Sequence, residues 1–182
     1  MNELILRSIK GDKEAYSELI KLIQNDLFKV AQARLENVDD SNDAIQETLV
    51  IAYNSLKKLK QPEFFKTWII KILINECNKI YRNNQRRINI LDKLTKKDIK
   101  NEYEDDKVID IDNKMELDNI LKGLNYNEKI CLVLFYGSKY SLDEISEILN
   151  VKKETVKTRI KRTKQKLRKV YGERRDNESA TK

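Results

Sequence analysis

Apolar residues recur every three or four positions along the first 80 residues, which is the period of amphipathic helices. The first predicted helix begins at about Asp12, a good N-cap that follows the breaker Gly11, and ends near Leu35. Its apolar positions are Ala15, Leu19, Leu22, Ile23, Leu27, Val30 and Ala31. The polar residues 36–40 predict the turn that follows.

Two more helices complete the predicted N-terminal domain, residues 1–87. One is predicted to begin at Ser41, a residue type preferred at N-caps, and to end near Leu59, with an apolar stripe at Ala44, Ile45, Thr48, Leu49, Ala52 and Leu56. The other has Pro62 in its first turn, where the missing N–H costs nothing, and fades in the basic run 82–87. Its apolar positions are Phe64, Phe65, Trp68, Ile69, Ile72, Leu73 and Ile80.

Residues 88–113 are acidic and poor in large apolar side chains, which is typical of an extended, mobile linker. Helical periodicity returns in residues 114–171, the predicted C-terminal domain. A short helix from Met115 and a second that ends at Gly137 and Ser138 come first. Their inward positions are Leu117, Ile120, Leu121, Leu124, Ile130, Cys131, Leu134 and Phe135.

The segment 141–162 has the layout of a helix-turn-helix. Ser141 and Glu144 form a capping box at the start of a short helix, Asn150 and Val151 make a tight turn, and a basic helix runs from Lys153 to about residue 171. The polar tail 172–182 is expected to be disordered. With only four Gly and one Pro in 182 residues, the sequence predicts an all-α fold of two small helical domains joined by an acidic flexible linker.

The net charge of +7 is concentrated in the last predicted helix, where Lys and Arg far outnumber Glu. Such a helix, presented by a capped neighbour, fits the major groove of DNA, although a lysine-rich face can also be merely solvated. The third helix combines aromatic residues with polar and basic ones, which suits single-stranded DNA, although aromatics at this spacing are often simple core. Its polar and basic positions are Lys71, Asn75, Asn78, Lys79, Arg82, Arg86 and Arg87.

The sequence argues against an enzyme. It contains no His, so the commonest general base and metal ligand are missing. A nuclease built on Asp39, Asp40 and Asp43 is an alternative, but the first two are predicted in a turn and no nucleophile–base pair is apparent. We therefore expect no catalytic residues, metal, cofactor or small-molecule substrate. Cys77 and Cys131 are predicted as buried thiols of a cytoplasmic protein, since no membrane span or signal segment is apparent.

Three stretches resemble the extracytoplasmic-function class of bacterial sigma factors: SNDAIQETLVIAYNSLKKL (41–59), FFKTWIIKILINECNKIYRNNQRR (64–87) and SLDEISEILNVKKETVKTRIKRTKQKLRK (141–169). The resemblance implies an alternative sigma factor that directs RNA polymerase core to promoters, in a stress or envelope response. It implies contacts with the β′ clamp helices through Asp43, Gln46 and Glu47, and with the β flap. The family usually has Leu-Pro at Leu124-Asn125, so a softer helix start is expected here.

The resemblance also assigns the DNA contacts and a further partner. The upstream (minus-35) element would be read by Lys153, Thr155, Lys157, Thr158, Arg159, Lys161 and Arg162. The melted minus-10 element would be held by Gln61, Lys71, Asn75, Asn78, Lys79 and Arg82. An anti-sigma factor, which in this family is often membrane-anchored, is the expected inhibitor. The alternative is a stand-alone helix-turn-helix regulator, but the chain shows no heptad seam for the dimer that such proteins form.

Overall fold

The computed structural model describes the backbone of residues 1–94 and 123–179 and the side chains of residues 1–90 and 123–168. Every regular element in these ranges is helical, which confirms the predicted all-α fold with a C-terminal helix-turn-helix. The α-helices are α1 (Asn2–Ile9), α2 (Lys13–Leu35), α3 (Val38–Ser55), α4 (Phe65–Leu94), α5 (Tyr126–Leu132), α6 (Leu142–Leu149) and α7 (Lys153–Ser179). Two 3₁₀ turns, Leu56–Lys58 and Pro62–Phe64, connect α3 to α4, and a π turn, Val133–Gly137, continues α5.

The N-terminal unit, α1–α4, packs α2, α3 and α4 against one another, with α1 on α2. The helix α1 was not predicted. Gly11 (φ 98°) ends it, and the Oδ1 of Asp12 accepts from the amide of Ala15 at 2.9 Å to start α2, as expected. Ile5 of α1 is fully buried, so this short helix is held by packing rather than by its own propensity.

The start of α3 differs from the expectation of an N-cap at Ser41. Asn37 caps the helix, accepting from the amide of Asp40 at 3.0 Å. Ser41 is buried inside the helix, where its hydroxyl accepts from Gln32 Nε2 at 2.8 Å. Because a serine can cap a helix or satisfy a buried neighbour, the sequence alone misassigned its role. Asp39 and Asp40 lie in the first turn of α3 and not in a loop, so their predicted placement was wrong.

Helix α4 begins later and ends later than predicted. Pro62 occupies the preceding 3₁₀ turn, and α4 continues to Leu94, into the predicted linker. No Gly or Pro interrupts residues 82–94, so nothing in the basic run terminates the helix. Phe65 is buried and Trp68 is half-buried against it, whereas Phe64 is exposed, as is Leu22 of α2. The remaining linker, residues 95–113, and most of the short helix predicted from Met115 lie outside the described residues.

The C-terminal unit, α5–α7, has a small core that includes Ile130, Ile145, Val156 and Ile160. The predicted capping box is confirmed, since Ser141 Oγ accepts from the Glu144 amide at 3.2 Å and Glu144 Oε2 accepts from the Ser141 amide at 2.8 Å. Asn150 adopts the left-handed conformation (φ 50°, ψ 50°) at the predicted turn. Helix α7 continues to Ser179, so the disorder expected from residue 172 does not hold for residues 172–179.

A second capping box starts α5. Asn125 Oδ1 accepts from the Glu128 amide at 3.0 Å, and Glu128 Oε2 accepts from the Asn125 amide at 3.2 Å. Both backbone amides at the start of the helix are therefore satisfied by side chains. Asn125 gives α5 a defined start, whereas a softer one was expected because the family's proline is missing.

The two units pack directly against each other. Helices α2 and α4 contact α5, the π turn and α6, and the buried apolar residues of both units form one continuous cluster. Among the described residues, no helix is long and apolar enough to cross a membrane.

Candidate nucleic-acid interfaces

Helix α7 presents an exposed basic face. Val156 and Ile160 point into the core, as predicted, while Lys157, Lys161 and Arg162 are exposed. Lys161 follows Lys157 by four positions, so these two cations share one side of the helix, and Arg162 lies further round it. An exposed, cation-rich helix behind a capped neighbour has the geometry of a major-groove reader.

The other residues predicted to read the minus-35 element are more constrained. Thr155 and Arg159 are half-buried, and Arg159 is close enough to the thiol of Cys131 to lower its pKa against the effect of burial. The Thr158 hydroxyl donates to the Glu154 carbonyl at 2.8 Å, and Lys153 Nζ lies 2.8 Å from Asp143 Oδ2. These side chains are thus partly engaged within the C-terminal unit, and Arg159 contributes to its packing.

Helix α4 carries a polar face that contains five of the six predicted minus-10 residues. Lys71, Asn75, Asn78, Lys79 and Arg82 follow one another at helical spacing, and the structure places them on one side of α4. Asn75, Lys79 and Arg82 are exposed, while Lys71 and Asn78 are half-buried. The sixth, Gln61, is exposed in the extended segment before Pro62, where its carbonyl accepts from the Phe64 amide at 3.1 Å.

A polar pocket of about 430 Å³ lies along this face. Its lining residues are Arg34, Asn75, Glu76, Asn78, Lys79 and Arg82. Arg34 comes from α2, and sequence reasoning missed it because no local pattern links it to α4. Its guanidinium carbon lies 3.7 Å from the ring centroid of Tyr81 and 4.1 Å from that of Tyr126, so the cation is sandwiched between two aromatic rings.

The predicted polymerase contacts lie together on α3. Asp43, Gln46 and Glu47 are exposed on the side opposite the buried Ala44 and Thr48. Exposed Val50 continues this side by one turn and borders an apolar groove of about 370 Å³. The groove is lined by Lys13, Tyr16, Leu49, Val50, Tyr53 and Asn54. The surface therefore combines negative charge with an apolar cleft.

The two cysteines are free and buried, as predicted. Burial raises the pKa of Cys77 to about 12. Burial likewise raises the pKa of Cys131, and the nearby guanidinium of Arg159 offsets only part of that effect. Both thiols therefore stay protonated near neutral pH and are poor nucleophiles. No group of three or more acidic or cysteine side chains in the described part of the chain could hold a metal ion.

Two family matches follow the same division of the chain. Residues 19–87 match Sigma-70 region 2, and residues 120–169 match Sigma-70, region 4. Together they cover the three stretches on which the resemblance rested, in the same order. The chain belongs to the extracytoplasmic-function class of sigma factors.

Curated relatives of this class match over most of their length. The sigma factor SigV of Bacillus subtilis is 29% identical over 76% of this chain and 80% of its own. SigW of the same organism is 25% identical over 88% of this chain and 90% of its own. The sigma-E factor of Haemophilus influenzae is 27% identical over 89% of this chain and 90% of its own.

Solved structures share the fold. CnrH, solved with the cytosolic domain of CnrY, superposes with a TM-score of 0.68 at 20% identity, over 94% of this chain and 96% of its own. RpoE of Bartonella quintana, solved with the anti-sigma factor NepR, superposes with a TM-score of 0.70 at 19% identity, over 86% of this chain and 96% of its own.

Proposed function

We propose that this sigma factor directs RNA polymerase core to specific promoters by dividing three tasks among three helices. The C-terminal unit reads duplex minus-35 DNA through α7. The N-terminal unit holds melted minus-10 DNA on α4 and binds core through α3. The observation that carries the proposal is that three chemically distinct surfaces, one cationic, one mixed polar and one acidic, lie on three separate helices.

The chemistry of each surface supports its task. Lys157, Lys161 and Arg162 of α7 can neutralise phosphates of a duplex, since all three are exposed. On α4, amides beside cations suit single strands, whose base edges need hydrogen bonds and whose phosphates need charge. On α3, Asp43 and Glu47 with the adjacent groove suit a basic partner that also offers an apolar side chain, and we assign the β′ clamp helices to it.

The remaining assignments extend this division. Residues 1–87 form the core-binding and minus-10 domain, extended by the continuation of α4, and residues 114–171 form the minus-35 domain, which also contacts the β flap. The connecting segment is a linker. RNA synthesis is catalysed by the polymerase, so the chain itself is a cytoplasmic, non-enzymatic initiation factor. Since relatives are solved with an anti-sigma factor, we expect such an inhibitor here, in a stress or envelope response.

The clamp contact is tested by Glu47→Lys. Glu47 is exposed, so the substitution changes the charge of the α3 face without disturbing the core. We expect about a tenfold loss of affinity for core polymerase, because a reversed charge repels the basic partner. The measurement is a binding titration against purified core, with run-off transcription from a promoter library as the functional readout.

The matched control is Glu18→Lys, the same charge change on an exposed position of α2. It should leave core affinity within about twofold of the parent. Equal losses in both variants would overturn the placement of the clamp contact on α3. A parent chain that binds promoter DNA but never joins core would instead support a stand-alone helix-turn-helix regulator.

A further inference from the structure

Helix α1 lies outside the stretch of the chain that matches Sigma-70 region 2. The match covers residues 19–87, whereas α1 spans Asn2–Ile9. A helix of this length is unstable by itself in water, so α1 is ordered by the surfaces against which it packs. Those surfaces therefore indicate what the helix does.

Helix α1 packs against α2 and against both 3₁₀ turns, Leu56–Lys58 and Pro62–Phe64. Helices α3 and α4 contact these turns as well, but each contacts the turn that is its direct neighbour in the chain. Helix α1 is distant from both turns in sequence and contacts both of them. It therefore bridges the two ends of the segment that lies between the turns.

The bridged segment, residues 59–61, is held only at its ends by the hydrogen bonds of the turns. The Leu59 amide donates to the Leu56 carbonyl at 3.0 Å, and the Phe64 amide donates to the Gln61 carbonyl at 3.1 Å. Leu59 (φ −72°, ψ 103°) and Gln61 (φ −128°, ψ 104°) have extended backbones. Because an extended loop lacks the repeating hydrogen bonds of a helix, its course depends on where the two turns are held.

The same segment exposes groups that suit an unstacked nucleotide. The side chain of Gln61 is exposed, and so are the neighbouring Lys58 and Lys60. An amide can donate to and accept from the edge of a base, and ammonium groups can pair with phosphates. Hydrogen bonds to a base edge tolerate only small displacements, so the base that is accepted depends on the position of Gln61.

Buried side chains connect α1 to both turns. Ile5 of α1 is fully buried, as are Leu56, which begins the first turn, and Phe65, which follows the second. All three belong to one apolar cluster. Arg7 of α1 lies 2.7 Å from Asp12 Oδ2, but this ion pair is partly exposed and contributes little. Since interiors are close-packed, a change at Ile5 is transmitted to the residues that share its cluster.

We infer that α1 is a positioning element for promoter recognition, which through Ile5 holds the two turns where they present Gln61 to a base of the melted minus-10 element. This inference rests on the proposed function, with Gln61 among the minus-10 residues. Ile5 touches no DNA and acts through the backbone of residues 56–64. Loosening α1 therefore changes which base is preferred, while core binding and minus-35 recognition stay as they are.

The first test compares Ile5→Ala with Ile23→Ala, in holoenzyme made from the full chain and purified bacterial core polymerase. Both substitutions remove the same atoms from a buried position, but Ile23 lies on α2. The readout is transcription from a promoter library randomised across the minus-10 and minus-35 elements. It gives, at each position, the ratio of transcripts from the best and the worst base. Gln61→Ala identifies the position that Gln61 reads, as the one whose ratio falls.

Ile5→Ala should lower the ratio at that position about fivefold, with the minus-35 ratios unchanged. Ile23→Ala should lower the amount of transcript and leave every ratio unchanged, because a loss of folded protein affects all promoters equally. Ile5→Val keeps most of the buried side chain and should restore the ratio of the parent. Unchanged ratios in Ile5→Ala, or equal changes in Ile5→Ala and Ile23→Ala, would overturn the positioning role.

The second test displaces α1 without altering the core. Gly11 joins α1 to α2 with φ 98°, which other residues rarely adopt, and a Cβ built there meets nothing within 4 Å. Gly11→Ala therefore acts through the backbone alone and should lower the same ratio about twofold. Gly137→Ala, at a glycine of the C-terminal unit without a positive φ, is the matched control and should leave the ratio unchanged. Equal ratios in both variants and the parent would refute the role of α1.

The same library separates this inference from the proposed function. If Gln61→Ala changed no minus-10 ratio, the assignment of Gln61 would be wrong and the inference would fall with it. If Gln61→Ala lowered a ratio that Ile5→Ala and Gly11→Ala left intact, the assignment of Gln61 would stand. In that case α1 would only stabilise the fold, and the inference alone would be refuted.

Discussion

The two DNA-type surfaces of this chain differ in what surrounds their charges. On α7, Lys157, Lys161 and Arg162 face outward. On α4, Lys71 is paired with Glu147 of the other unit and Lys79 with Glu76 of its own helix, at 2.7 and 3.3 Å. The first surface is a local concentration of one charge. The second is a mixed surface, on which neighbouring carboxylates, among the described residues, pair with some of the cations and leave others unpaired.

This contrast explains why one surface was easier to predict. A helix-turn-helix is a local unit, so its exposed positions follow from spacing once Val156 and Ile160 are assigned inward. The condition of the α4 face depends on residues more than 40 positions away, among them Arg34, Tyr126 and Glu147. No periodic pattern along α4 contains that information.

The largest effect is expected from breaking the shared core. Ile145 of α6 is fully buried in the cluster that joins the two units. Ile145→Ala should cost about 2–5 kcal/mol of the free energy of unfolding. Trp68, the only tryptophan, reports on the N-terminal unit through its fluorescence. Because the core is continuous, the urea midpoint measured by this fluorescence should fall together with the midpoint measured by far-UV circular dichroism.

Leu19→Ala in the N-terminal core serves as the reciprocal control, since Leu19 is equally buried. It should lower both midpoints as well. A Trp68 midpoint that moves with Leu19→Ala and stays fixed with Ile145→Ala would show that the units unfold independently, against the shared core.

An intermediate effect should distinguish the two DNA surfaces. Lys157→Ala removes an exposed cation from α7 and should weaken duplex binding by about 1 kcal/mol. The slope of log affinity against log salt should fall by about 0.9 if Lys157 contacts a phosphate. Electrophoretic or anisotropy titrations at three salt concentrations measure both quantities.

Lys79→Ala on α4 is the comparison, because it removes one exposed cation from the other surface. It should leave duplex binding and its salt slope unchanged. If both variants reduced duplex binding to the same extent, the duplex would contact both helices and the division of tasks would fail.

The smallest effect concerns Glu128, which is almost buried at the start of α5. Burial raises its pKa, but the hydrogen bonds from Lys166 and the Asn125 amide, with the nearby charges of Lys166 and Arg162, outweigh burial. The net pKa therefore lies below 4.5. A carboxyl with a lowered folded-state pKa stabilises the fold above its unfolded pKa and loses that contribution as pH falls through the folded value.

Glu128→Gln keeps a side-chain acceptor for the Asn125 amide and removes the titrating charge. The stability difference between parent and variant should be constant above pH 4.5 and shrink below it, as measured by urea unfolding at several pH values. A difference that is independent of pH would show that the Lys166 contact contributes nothing to the fold.

The sequence by itself determined the helical period, the Ser141–Glu144 capping box, the tight turn at Asn150 and the basic face of α7. Each depends on residues within a few positions of one another, whose chemistry fixes the local backbone. The tertiary structure alone decided that α1 packs on α2, that Ser41 is a buried hydrogen-bond partner and not a cap, and that Arg34 joins the α4 face. These outcomes depend on which distant side chains meet when apolar surfaces are buried, and burial is set by the whole fold rather than by any segment of it.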